Sequence, residues 1–84
     1  MAEEIAVRYK IVDVTRIPSA EAGRIGKYDI IVTYQDAAGR MRVVTIPAEK
    51  WDGKSEEEKF AVLQEYIRAN EAERRAFIGK QITV

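Results

Sequence analysis

Apolar and polar residues alternate along much of the first half of the chain, and the phase of that alternation predicts its strands. Ile5, Val7, Tyr9 and Ile11 alternate with Ala6, Arg8 and Lys10, the period of a strand with one buried face. Beyond Ile11 the phase flips: Val12 and Val14 become the apolar set, while Asp13 and Thr15 take the other face. A one-residue slip sends every later side chain to the opposite face, and a β-bulge near Ile11–Val12 absorbs it. The pattern predicts one long strand over 5–17 with that bulge, or a strand that leaves one sheet face to serve a second surface. Pro18 to Gly26 holds one Pro, two Gly and small residues, and is expected to be a loop.

Residues 27–35 carry the cleanest alternation. Tyr28, Ile30, Val32 and Tyr34 share one face; Lys27, Asp29, Ile31, Thr33 and Gln35 share the other. Asp36-Ala37-Ala38-Gly39 follows as a type I turn, with Asp first and Gly last. Gly39 can take positive φ and close a three-residue hairpin loop. That loop pairs Asp36 with Arg40, so Val32 faces Val44 and Ile30 faces Ile46. A two-residue loop would need positive φ at Ala37 and Ala38, and would set Met41, Val43 and Thr45 against the apolar face. The first register is preferred, with a third strand over 40–47.

The period then changes from two to near 3.6. Ser55 with Glu58 three residues on matches a capping box, and Glu56, Glu57 and Glu58 place negative charge where the helix dipole favours it. Phe60, Leu63, Tyr66 and Ile67 recur at helical spacing, with Phe60, Leu63 and Ile67 expected to cover Val32, Val44, Ile30 and Ile46, and Gly79 stands where a terminating glycine belongs. A helix is predicted over about 56–78. Asn70 and Arg74 fall within its apolar stripe. Either the helix overruns the sheet and presents them to solvent or a partner, or it breaks and Asn70 with Glu73 caps a second helix. Gln81 to Val84, with Ile82 and Val84 on one face, is expected to form a short terminal strand. The predicted fold is a single α+β domain over 1–84. It has a three- to four-stranded, mostly antiparallel sheet in β-β-β-α-β order, and one long C-terminal helix on one face.

Composition narrows the functions open to such a domain. The 84 residues include 14 Lys plus Arg and 14 Asp plus Glu, a formal net charge of zero, and neither His nor Cys. Cysteine nucleophiles, disulfides, thiolate zinc sites, Ser-His-Asp triads and imidazole metal ligands are therefore excluded. A 46% hydrophobic and 33% charged composition is that of a folded chain. One Asn and three Gln beside abundant Glu, Arg, Ile and Val is a bias shared with heat-adapted proteins. The acidic opening Met1-Ala2-Glu3-Glu4 is unlike a secretory signal, and Ile30-Ile31-Val32 is far short of a ~20-residue membrane span. The cytoplasm is the expected compartment, with no membrane partner.

The remaining motifs are weak. Gly23-Arg24-Ile25-Gly26-Lys27 fails the phosphate-loop pattern twice, at Glu21 and at Tyr28, and leaves at most an anion nest of glycine amides with Arg24 and Lys27. Asp13 and Asp29 could become neighbours on adjacent strands, but no spacing converges the carboxylates for acid–base work or a metal. Trp51 is expected to plug the open end of the core. Arg8, Lys10, Arg40 and Arg42 lie on strands, and with Arg24 and Lys27 they are the candidates for nucleic-acid binding. The outward face of the hairpin, reading Asp29, Ile31, Thr33, Gln35, Met41, Val43 and Thr45, is not a phosphate-binding surface. Its Ile31, Met41 and Val43 form an apolar strip of the kind that marks association. The chain is therefore expected to be a non-catalytic protein–protein interaction domain without cofactor. It would be homo-oligomeric through that face, or bind another protein, with Ile31, Met41, Val43, Asn70 and Arg74 as interface candidates. Nucleic-acid binding is the alternative.

Overall fold

The alternation between residues 10 and 47 builds an antiparallel sheet whose strands lie in sequence order. The computed structural model describes residues 8–84. Strand β1 is Lys10–Pro18, β2 is Tyr28–Gln35, β3 is Met41–Pro47, and a single helix, α1, is Glu56–Phe77. The sheet order β1-β2-β3 leaves β1 and β3 as edges. Short 3-10 turns at Ala22–Arg24 and Ala48–Lys50 punctuate the two long connections. Residues 5–7 of the predicted first strand lie outside the described residues, and the strand seen begins at Lys10.

The bulge falls where the phase flips. Ile11 pairs with Tyr34 and Asp13 with Thr33, so Val12 is the extra residue. The hairpin also takes the predicted register. Val32 faces Val44 and Ile30 faces Ile46. Gly39 adopts φ 82°, its N–H donates to the Asp36 carbonyl at 3.0 Å, and the Asp36 N–H donates to the Arg40 carbonyl at 3.0 Å. The Asp36 carboxylate also accepts from the N–H groups of Ala38 and Arg40, each at 2.9 Å, which fastens the turn from inside.

One face of this sheet is buried. Ile30, Val32, Tyr34, Val44 and Ile46 form the core with Ala48, Leu63 and Ile67, and Tyr9, Ile11, Trp51, Val62 and Tyr66 pack around it. Trp51 is half-buried at the end of the core, with the Lys59 ammonium 5.4 Å from its ring centroid. The capping box is present: Glu58 N–H donates to Ser55 Oγ at 3.2 Å, and Ser55 N–H donates to Glu58 Oε1 at 3.1 Å. These bonds satisfy amide groups that the first helical turn leaves without partners.

Two expectations require correction, and the alternative left open at Asn70 is settled. The terminal strand is absent, because residues 81–84 join no ladder and Ile82 is 80% exposed. Gly79, at φ 83°, turns the chain away from the helix. Residues 81–84 pair with neither sheet edge, and two exposed apolar side chains do not offset an ordering cost of ~1–2 kcal/mol per residue. The helix does not break at Asn70. It runs unbroken to Phe77, because Asn70 and Glu71 are both bonded to the sheet. Phe60 does not cover the sheet: it is 58% exposed beside Glu56 and Glu57 at the rim, and Leu63 and Ile67 take the covering positions.

Candidate association surface

The two faces of the sheet receive different treatment from the rest of the chain. On the inner face, α1 packs principally over β3 and is locked by a polar cluster near the hairpin. The Asn70 amide donates to Tyr34 Oη at 2.8 Å, and Tyr34 Oη donates to Glu71 Oε2 at 3.0 Å. Burial is the main cause that raises the Tyr34 pKa, which keeps its proton in place for that bond. Arg42 Nε and Arg74 Nε each stand 3.5 Å from Glu71 Oε2, and Arg42 also reaches Asp36 at 3.2 Å. Glu71 is 3% exposed, and it meets both arginines as ion pairs without a hydrogen bond from either Nε.

Glu71 is the residue that sequence reasoning missed. Helical spacing from Leu63 and Ile67 placed position 71 on the inner stripe, and a carboxylate there called for cations nearby. Arg42 and Arg74 are those cations. Arg42 is directly opposite Tyr34 and therefore lies on the helix side of the sheet. Asn70 bonds Tyr34 and lies 3.5 Å from the Val43 carbonyl, so its amide is spent inside the chain. Arg74 is partly exposed at the flank of the cluster.

On the outer face, a second ionic cluster closes the end away from the hairpin. Arg24 donates to Asp29, to Glu49 at 2.6 and 3.2 Å, to Ser19 Oγ at 3.0 Å and to the Tyr28 carbonyl at 2.9 Å. Its bonds to Glu49 and then Asp29 raise the guanidinium pKa, and Arg24 in turn lowers that of Glu49. The Gly23–Lys27 loop is thus a clasp whose arginine is already neutralised. Asp29 and Asp13 are not neighbours. Asp29 is opposite Ile17 and Asp13 opposite Thr33, and Asp13 accepts a 2.9 Å bond from Thr15 Oγ1.

Of the other nucleic-acid candidates, Arg40 lies 3.5 Å from Asp36, while Arg8, Lys10 and Lys27 are exposed. Arg24 and Arg42, the two least exposed cations of that set, face carboxylates and not solvent. Among the described residues, no three acidic side chains converge on a point where a cation could sit. No described helix is long and apolar enough to cross a membrane.

The hairpin end of the outer face carries no such cover. Met41 is 55% exposed and Val43 54%, while Ile31 is half-buried between Thr15 and Thr45. Thr33 and Gln35 complete the patch. Val43 and Ile31 are diagonal neighbours on adjacent strands, close enough for their side chains to act as one apolar surface. Comparison with known proteins adds no relative: no family model, no curated protein and no solved structure matches the chain.

Proposed function

We propose that the chain is a non-catalytic association domain whose partner is a second copy of itself, joined through the hairpin end of the outer sheet face. The observation that carries this reading is the uncovered apolar strip of Ile31, Met41 and Val43, on a sheet whose one helix lies on the opposite side. Burying a large aliphatic side chain is worth ~1.5–3 kcal/mol. A two-fold axis counts each of the three residues twice, which offsets much of the entropy of association.

The test is Val43→Lys. The position is more than half exposed, so the fold tolerates the change, while a lysine ammonium in an apolar contact does not. Sedimentation equilibrium is expected to show a smaller assembly for Val43→Lys than for the wild type. An unchanged mass would refute the outer-face contact.

A further inference from the structure

A second, independent feature is the edge of β1, which has no partner strand on that side among the described residues. Antiparallel ladders alternate hydrogen-bonded and non-hydrogen-bonded pairs. The bond from Asp36 N–H to the Arg40 carbonyl fixes the alternation between β2 and β3. Ile30, Val32 and Tyr34 then direct their backbone groups to β3, and Asp29, Ile31 and Thr33 direct theirs to β1. In β1, Asp13, Thr15 and Ile17 therefore bond inward to β2, and the N–H and C=O of Val14 and Arg16 point out from the sheet. Edge strands are usually blunted by bulges, prolines and charge. Here the bulge at Val12 and Pro18 bracket the stretch 13–17 and leave it regular. The charge within it is answered locally, since Arg16 is held by Asp52 at 2.5 and 3.1 Å.

We propose that this edge pairs with the same edge of a second copy, antiparallel, about a two-fold axis at Val14, to make a continuous six-stranded sheet. Charge selects the register. Backbone geometry allows axes only at whole residues. An axis at Asp13 sets two carboxylates face to face, and one at Arg16 sets two guanidinium groups face to face; like charges directly opposite are destabilising. An axis at Thr15 sets Ile17 against Asp13. The axis at Val14 places Val14 against Val14 and Thr15 against Asp13, twice, and sets Arg16, already held by Asp52 of its own chain, beside the bulged Val12. The hydroxyl–carboxylate bond that Thr15 and Asp13 already make within one chain can then form between chains. Val14 is opposite Val32, on the side of the sheet where α1 packs principally over β3, and it is 44% exposed. A second copy supplies the apolar neighbour that its own helix does not.

The absence of cysteine makes the test clean. Hydrogen-bonded antiparallel pairs have Cα atoms ~5.5 Å apart, within the range a disulfide spans. Val14→Cys is expected to oxidise to a covalent species of twice 9.6 kDa, and Ala61→Cys, on the exposed side of the helix, to remain single. Val14→Lys is expected to lower the assembly mass by half, with the circular dichroism of the wild type. The edge is overturned if Val14→Cys links no more than Ala61→Cys, or if Val14→Lys keeps the wild-type mass. Loss of association in Val43→Lys with none in Val14→Lys leaves the outer-face contact standing and removes the edge. The reverse pattern does the opposite.

Discussion

Strands β1 and β2 both carry alternating Ile and Val, yet they end in opposite surroundings. In β2, Ile30, Val32 and Tyr34 are at most 2% exposed. In β1 only Ile11 is half-buried, and every other residue is exposed. The difference is topological. β2 has a strand on each side and a helix above, whereas β1 has one neighbouring strand among the described residues, and α1 packs principally over β3. The polar bonds follow the same division: Tyr34, Asn70 and Glu71 tie α1 to the central and third strands, and nothing comparable ties it to β1. One helix is too narrow to cover three strands, so half of the sheet is left bare by the described residues, and that is the half we propose for a partner.

The largest expected effect is in the covered half. Ile46→Ala should cost about 2–5 kcal/mol, the range for emptying a fully buried aliphatic site. Val12→Thr, in the exposed bulge of β1, should stay within about 0.5 kcal/mol, as surface substitutions do. Chemical denaturation of both variants measures the contrast; equal losses would erase it. A smaller effect belongs to the hairpin that joins β2 and β3. Gly39→Val should destabilise by more than ~1 kcal/mol, because a β-branched residue holds φ 82° at high cost. An unchanged thermal midpoint would contradict the turn.

The smallest effect is electrostatic. The Arg40 backbone N–H, with that of Ala38, holds the Asp36 carboxyl below its ordinary pKa. A depressed folded pKa stabilises the protein above the unfolded value of about 3.9, and that contribution is lost as pH falls through the lower folded value. Thermal melts of Asp36→Asn should therefore differ most from the wild type above about pH 4 and converge below it. A constant difference at all pH values would assign the effect to the turn's shape and not to its charge.

Most of the covered half was legible in the sequence. The strand alternation, the Asp36–Gly39 turn, the Ser55–Glu58 box and the bulge at Val12 are local devices, and local devices leave local signatures. What was not legible depends on distance. Glu71 meets Tyr34 across 37 positions, and Arg42 meets Glu71 across 29, so neither bond has a sequence period. The terminal strand was misread because Ile82 and Val84 alternate as a strand does, while an edge for them to join is a property of the folded sheet. For the same reason, the exposure of Val12 and Val14 could not be told from the burial of Val32.

The central claim is that the bare half is completed by a second copy, and the mass of the wild-type protein tests it most directly. Sedimentation equilibrium over a range from micromolar upward should give a species of at least twice 9.6 kDa. A single species of 9.6 kDa throughout that range would contradict it.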